Sequence, residues 1–191
     1  MSRIVVVSGN PRPGSRTSTL AVAVGTALAA VAPASGTAEK AGAPASGAAE
    51  KSVPVEVVEV VEVGELGAGL LTPGDEPTAK AVQLLRAAEV LVVATPTYKG
   101  SYTGVLKVLL DQLPAQALAG KRAVPVVTAG VAPQAAAAEA LLRQLLTELG
   151  ADVAPGLPVV EADLPESKAI AETYAHSQST ASIQAADNSA H

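Results

Sequence analysis

Residues 89–95, EVLVVAT, form a nearly continuous apolar run that ends abruptly at Pro96. The strands of a parallel sheet show this pattern because helices cover both faces of the sheet. Shorter runs rich in β-branched residues occur at 4–7 and 123–128, and segments with helical spacing of apolar residues separate the three runs. Strands that alternate with helices in this way predict an α/β fold with a parallel sheet.

The sequence predicts five strands and four helices in alternation. The strands are expected at 4–7, 53–63, 89–95, 123–128 and 151–160, the helices at 20–33, 77–88, 105–113 and 133–149, and a long loop at 64–77. Right-handed crossovers turn this order into a flavodoxin-like three-layer sandwich, whose five-stranded parallel sheet has the order 2-1-3-4-5. The first and third strands are neighbours in that sheet, so the loops that follow them are expected to meet in one crevice.

The second strand carries a glutamate at every third position, at Glu56, Glu59 and Glu62. This spacing also suits a helix, but Pro54 and the many valines of 53–63 favour a strand. Charged side chains are common on edge strands, where they discourage pairing with another chain. We therefore place this strand at an edge of the sheet.

A single domain is expected at residues 1–164, since a chain of 191 residues is too short for two comfortable domains. Residues 34–52 contain two near-copies, ASGTAEK and ASGAAEK, and no residue large enough to join a core. This composition predicts a flexible insertion, and two copies this short argue against the alternative of a solenoid repeat. Residues 165–191 are rich in Ser, Ala and Gln and predict a disordered tail.

Composition excludes several classes of function. A formal charge of -5 and the lack of a basic patch argue against nucleic acid as a partner. Cysteine is absent, which excludes disulfides and thiolate catalysis, and Asp152, Glu161 and Asp163 form no recognisable metal-binding set. No apolar run reaches transmembrane length, and the first strand begins within three residues of Met1, so we expect a cytoplasmic protein without a membrane span.

The stretch between the first strand and the first helix, SGNPRPGSRTSTL at 8–20, combines the groups that bind phosphate. Glycines and prolines shape a tight turn, Arg12 and Arg16 supply positive charge, and the helix start offers free N–H groups. Five hydroxyl groups surround the turn, from Ser8, Ser15, Thr17, Ser18 and Thr19. A simple helix cap explains one of these hydroxyls but not all five, so the stretch favours phosphate binding. It contains neither the dinucleotide fingerprint nor a Walker sequence.

Three segments carry a resemblance to a known family: SGNPRPGSRTSTL, PTYKGSYTGVLKVLLDQLP and ALAGKRAVPVVTAG. They resemble the NADPH-dependent FMN reductases of the flavodoxin-like superfamily, and within it the sulfonate-utilisation branch, whose members pass reduced flavin to a separate monooxygenase. The resemblance extends from about Arg3 to Gly156, apart from the insertion. The string P-x-Y-x-x-S-Y-x-G-x-L-K, which begins at Pro96, is its most specific part.

The resemblance implies a set of FMN-binding residues. Around the phosphate they are Ser8, Arg12, Ser15, Thr17 and Ser18, to which Arg16 adds positive charge. Along the isoalloxazine ring they are Pro96, Thr97, Tyr98 and Lys99, continued by Gly100 and Ser101, with Thr128 and Gly130 on the far side. For Tyr98 the alternative is simple packing. For Lys99 the alternatives are a solvated surface position and a contact with the NADPH phosphates. Tyr102 matches a tyrosine associated with a π-type bulge at a tetramer interface, and a half-buried core tyrosine is the alternative.

The function implied by the resemblance is hydride transfer from NADPH to FMN, without a catalytic side chain, in a homo-dimer or homo-tetramer that supplies reduced flavin to a monooxygenase. A reductase that retains FMN and reduces quinones, azo dyes or metal oxyanions is the nearest alternative. A noncatalytic flavin carrier is less favoured, because Trp and Phe, which usually flank the ring in flavodoxins, are absent. The chain has Gly130-Val131 where the family often has Gly-Gly, which weakens a placement of NADPH at that loop.

Overall fold

The computed structural model describes residues 3–31 and 57–188. The strands are β1 Arg3–Ser8, β2 Val57–Glu62, β3 Val90–Pro96, β4 Arg122–Ala129, β5 Asp152–Val153 and β6 Leu157–Val160. The α-helices are α1 Arg16–Val31, α2 Val63–Leu66, α3 Glu76–Ala87, α4 Gly104–Leu110, α5 Ala132–Glu148 and α6 Ser167–Asn188, with 3₁₀ segments at Gly67–Leu71 and Glu161–Glu166. The predicted insertion at 34–52 lies outside the described residues.

The sheet is parallel and has the strand order β2-β1-β3-β4-β5, which confirms the predicted flavodoxin-like arrangement. The predicted fifth strand is divided into two short strands that both pair with β4. They are separated at Pro155 and Gly156, because proline has no N–H for the ladder and glycine weakens a strand. As predicted, β2 is an edge strand, and its Glu59 forms an ion pair of 3.3 Å with Arg3 of β1.

Helices cover both faces of the sheet and produce two apolar clusters. Val5 and Val7 of β1 belong to the cluster on one face, which α3, α4 and α5 complete with Leu85, Leu106, Leu109, Leu142 and Leu146. Ile4 and Val6 belong to the other, which α1 and α6 complete with Leu20, Ala21, Val24, Ala171 and Tyr174. This alternation follows from the two-residue period of a strand, and it explains why the central strands are apolar throughout.

The predicted loop at 64–77 contains regular structure. It begins with α2 and continues into the 3₁₀ segment Gly67–Leu71, in which Leu70 is buried. Asp75 then caps α3, and its carboxylate accepts a hydrogen bond from the N–H of Thr78 at 3.0 Å. Helical segments of four and five residues are too short to show the apolar periodicity from which a helix is predicted.

The disordered tail predicted at 165–191 is wrong for the residues that form α6. Ala171, Tyr174 and Ala175 are buried, and α6 packs against α1. The Tyr174 hydroxyl donates to the carbonyl oxygen of Pro155 at 2.6 Å, and Arg122 of β4 donates to Gln178 at 2.9 Å. Small alanine side chains let the two helices approach closely, although the same residues give a composition typical of disorder. None of the helices in the described residues has the length and hydrophobicity needed to span a bilayer.

Candidate functional site

Two loops meet at the carboxyl edge of the sheet, as the strand order predicts. The first loop, residues 9–15, follows β1, and the second loop, residues 97–103, follows β3. The N–H of Gly9 donates to the carbonyl of Ala94 at 2.7 Å, and the Thr103 hydroxyl donates to the carbonyl of Gly9 at 2.5 Å. These bonds hold the two loops in a fixed relation to each other.

A cavity of about 460 Å³ opens between these loops and the ends of β4 and β6. Its walls are formed by Asn10, Arg12, Pro13, Gly14, Ser15, Arg16, Thr17, Pro96, Tyr98, Thr128, Glu161 and Leu164. Ligand-binding cavities of proteins commonly have volumes of this order. The carboxyl edge of an open α/β sheet, beside the point where the strand order reverses, is also where such folds bind their ligands.

The first loop ends in a regular helix start. Asn10 accepts a hydrogen bond from the N–H of Arg12 at 2.9 Å through its side-chain oxygen, which closes a tight turn. The Ser15 hydroxyl then accepts from the N–H of Ser18 at 3.2 Å, so that Ser15 caps α1. The N–H groups of Arg16 and Thr17, which precede Ser18 in the first helical turn, have no partner within the helix and are available to an anion.

The five hydroxyl groups of the 8–20 stretch have different surroundings. Ser15 and Thr17 line the cavity, and Thr17 Oγ1 lies 2.8 Å from Thr128 Oγ1. Ser18 is buried outside the lining, and its hydroxyl donates to Glu62 Oε1. Ser8 is buried as well, and its hydroxyl has no partner among the described residues. The Thr19 hydroxyl bonds the carbonyl of Ser15 at 3.2 Å and points to solvent.

Both arginines of the predicted phosphate site line the cavity. Arg16 Nη2 lies 3.0 Å from Glu161 Oε2, and the two side chains are 67% and 48% exposed. Arg12 is exposed and forms no ion pair with any of the described acidic residues. The cavity therefore has one arginine already paired with a carboxylate and one that is free to meet an anion.

Pro96 at the end of β3 and Tyr98 of the second loop line the cavity, and Tyr98 is 47% exposed. Tyr98 and Ser101 exchange backbone hydrogen bonds of 2.9 and 3.3 Å. Between them Lys99 and Gly100 both have positive φ, as in a type I′ turn. The tyrosine ring is thus held at the cavity by a short, closed turn. The Thr97 hydroxyl is buried and has no partner among the described residues.

Gly64 of α2 supports the first loop. It follows β2, and a Cβ at this position would lie 2.5 Å from the carbonyl oxygen of Pro11 and 2.9 Å from that of Asn10. Only glycine fits at such distances, so the backbone of the first loop rests directly on α2.

Seven of the fourteen residues predicted to bind FMN line the cavity. The other predicted residues, which do not line it, are Ser8, Ser18, Thr97, Lys99, Gly100, Ser101 and Gly130. Five lining residues are not predicted from the sequence: Asn10, Pro13 and Gly14 in the first loop, and Glu161 and Leu164 beyond β6. For Asn10, its place in the first loop is a usable signal, whereas the division of the fifth strand hides the position of Glu161 and Leu164 at the end of β6.

The π-type bulge implied at Tyr102 is absent from the structure. The Thr103 hydroxyl accepts a hydrogen bond from the N–H of Leu106 at 3.3 Å and caps α4, which begins at Gly104. Tyr102 therefore lies in a bend before the helix. Its side chain is half-buried and packs against the apolar cluster of Leu106 and Leu109, while a place at an interface between subunits stays a prediction.

The site fits a flat ligand with an anionic group. Arg12, Ser15, Thr17 and the start of α1 offer positive charge and donors, and Pro96 with Tyr98 offers an apolar wall. Fold and site together define a flavodoxin-like protein whose cavity combines donors for an anion with an apolar wall.

The comparison with known proteins gives the family. The sequence profile of the NADPH-dependent FMN reductases matches residues 2–163, and the chain belongs to this family. The FMN reductase (NADPH) of Escherichia coli K12 is 42% identical over 78 residues, which are 40% of this chain and 41% of that protein. The chain thus aligns with less than half the length of this relative.

Other relatives align over most of their length. The NADH-dependent FMN reductase SfnF of Pseudomonas putida is 31% identical over 158 residues, which are 80% of this chain and 74% of that protein. The apo structure of the NADH:FMN oxidoreductase EMOB superposes with a TM-score of 0.69 at 28% identity, covering 93% of this chain and 90% of that one. The family resemblance inferred from the three sequence segments is confirmed.

Proposed function

We propose that the chain is an enzyme that reduces FMN with NADPH in the cavity between the first and second loops. The observation that carries the proposal is that Arg12 and the start of α1 line the same cavity as Pro96 and Tyr98. The first pair of features suits a phosphate, and the second suits a flat ring. The family membership and the names of the relatives support the same reaction.

The residues have distinct roles in this proposal. Arg12, Arg16, Ser15 and Thr17 bind the phosphate, and Thr128 fixes Thr17 through the pair of hydroxyls. Pro96 and Tyr98 lie along the ring, while the backbone of the second loop meets its polar edge. When bound, FMN supplies the hydride acceptor, so no side chain needs to transfer a proton. The chain contributes the position of the ring relative to the nicotinamide.

In this proposal the buried residues Ser8 and Ser18 support the first loop and the start of α1 from behind and do not line the cavity. Lys99, Gly100 and Ser101 hold the second loop in its closed turn, and the N–H of Thr97 ties the loop to the carbonyl of Thr128 at 2.8 Å. Gly130, exposed at the end of β4, remains a proposed ring contact.

The direct test is NADPH oxidation by the purified protein with and without added FMN. We expect oxidation that saturates with FMN, and a protein that is colourless after purification. Parallel measurements with NADH determine the preferred nicotinamide. Oxidation that does not depend on FMN would contradict the proposal, and yellow flavin retained through purification would favour the reductase with bound FMN.

Release of reduced flavin to a monooxygenase and assembly as a homo-dimer or homo-tetramer in the cytoplasm are further parts of the proposal. They rest on the resemblance to the sulfonate-utilisation branch. Light scattering of the purified protein tests the assembly, for which a monomeric mass would be the contrary result.

A further inference from the structure

Glu62 places a carboxylate directly behind the proposed phosphate site. It is the last residue of β2, and its Oε1 accepts hydrogen bonds from the Ser18 hydroxyl and, at 3.4 Å, from the N–H of Gly14. Gly14 lines the cavity, and Ser18 belongs to the first turn of α1. The carboxylate thus engages two donors of the stretch that the proposed function assigns to the phosphate.

The second carboxylate oxygen of Glu62 has no compensating contact. Glu62 Oε2 is buried and has no hydrogen-bond partner among the described residues. Its register partner on β1 is Ser8, whose buried hydroxyl is also without a partner there. A buried carboxylate oxygen without a partner is unfavourable, so Glu62 is not explained as a purely structural group.

The charges around the proposed phosphate site make a carboxylate at the position of Glu62 unusual. Arg16 is paired with Glu161, which leaves Arg12 as the cavity arginine without an acidic partner in the described residues. A phosphate at the start of α1 would lie near the negative charge of Glu62, whose carboxylate bonds Gly14 and Ser18 there. Like charges close together lower the affinity, and the hydrogen bond from Gly14 to Glu62 occupies an N–H of a lining residue that would otherwise be available to the phosphate.

We propose that Glu62 sets the affinity of the site for the phosphate group and keeps FMN binding weak enough for release. The inference rests on the proposed function and names the residue that would make flavin a diffusible product. The effect is specific to the phosphate, because Glu62 lies behind the first loop and is not a lining residue of the cavity. Riboflavin, which has the same ring but no phosphate, should not respond to it.

The test is the variant Glu62→Gln, which removes the charge and preserves the shape of the side chain. Flavin fluorescence titrations give Kd for FMN and for riboflavin, and stopped-flow displacement gives the dissociation rate of FMN. We expect Kd for FMN to fall about tenfold, since one negative charge close to a dianion is removed. We expect FMN to dissociate correspondingly more slowly, with Kd for riboflavin unchanged.

Glu59→Gln is the matched control, because Glu59 lies on the same strand and loses the same charge but pairs with Arg3. It should leave both Kd values unchanged. Glu62→Ala, which removes charge and acceptor together, should tighten FMN binding in the same direction, and it serves if Glu62→Gln fails to fold.

The contrary results separate the two proposals. Equal affinity of the wild type and both Glu62 variants for FMN, weaker binding by the variants, or an equal change for riboflavin would overturn the role of Glu62 and leave the proposed function standing. Failure of the wild type and the variants to bind FMN at all would overturn the proposed function and this inference together.

Discussion

The two arginines of the proposed phosphate site have different surroundings, and we expect this difference to decide how much each contributes to anion binding. Arg16 is held by Glu161 at 3.0 Å, whereas Arg12 forms no ion pair with the described acidic residues. An anion must compete with Glu161 for Arg16 but not for Arg12. The contribution of Arg12 to phosphate affinity should therefore be the larger one.

Replacing Arg12 with Ala should raise Kd for FMN about tenfold or more, because a hydrogen bond to a charged group contributes about 1.5 to 3 kcal/mol. Arg16→Ala should have a smaller effect, and Arg86→Ala, at an exposed position on α3, should have none. Fluorescence titration of FMN measures all three variants. Equal losses for Arg12→Ala and Arg86→Ala would contradict the assignment of the phosphate site.

The hydroxyl pair of Thr17 and Thr128 joins α1 to β4 inside the cavity wall. Thr17→Val leaves the buried hydroxyl of Thr128 without its partner, which should lower the free energy of unfolding by about 1 to 3 kcal/mol. The double variant with Thr128→Val should recover part of this loss, because both polar groups are then removed. Urea denaturation of the two single variants and the double variant gives the coupling; strictly additive losses would show that the pair does not matter.

At the scale of elements, α6 determines how the sheet is covered. Its residues Ala171, Tyr174 and Ala175 are buried on the α1 side, and the Tyr174 hydroxyl reaches the carbonyl of Pro155 between β5 and β6. Burial raises the pKa of Tyr174 to about 12, against the smaller opposite effect of Arg122 and Arg143. The phenol of Tyr174 therefore stays neutral up to a higher pH in the folded protein than in the unfolded chain.

The raised pKa of Tyr174 makes stability depend on alkaline pH. The unfolded tyrosine ionises near pH 10, so the stabilisation is complete below that pH and is lost as the pH rises to about 12. Because one pKa unit corresponds to about 1.4 kcal/mol, the loss is at most about 3 kcal/mol. Urea denaturation between about pH 9 and pH 12 measures this loss. The free energy of unfolding should decline more steeply with pH for the wild type than for Tyr174→Phe. Parallel curves for both proteins would contradict the role of Tyr174.

At the scale of the whole molecule, the described helices form a layer on each side of one parallel sheet, and the cavity opens at its carboxyl edge. The layer on the α1 side is complete only with α6, since Ile4, Val6 and Leu20 share an apolar cluster with Tyr174. The boundary at residue 164 expected from the sequence therefore divides a common core.

Ending the chain after residue 164 tests that boundary. If α6 belongs to the core, the shortened protein should lose about 3 kcal/mol or more of unfolding free energy, because several buried side chains are removed. It should also bind a dye that reports exposed apolar surface. A shortened protein with the urea midpoint of the full chain would restore the prediction of a separate tail.

The sequence predicts the strand order and the meeting of the two loops, because buried parallel strands are apolar throughout and their crossovers have one hand. It does not predict α6, whose alanines and serines give little apolar periodicity. It predicts Arg12 and Tyr98 as lining residues, but it cannot tell which hydroxyls of the 8–20 stretch face the cavity. That depends on the rotation of α1, which brings Ser18 to Glu62 and Thr17 to Thr128.

The close approach of Gly64 to the first loop has a consequence for variation in this protein. The position of the loop backbone depends on a residue that lies 50 positions or so further along the chain. Any side chain at 64 would displace the carbonyl groups of Asn10 and Pro11 and with them the first loop. A survey of natural or engineered substitutions confined to residues that touch the ligand would thus overlook a position at which a single methyl group can reshape the pocket from outside.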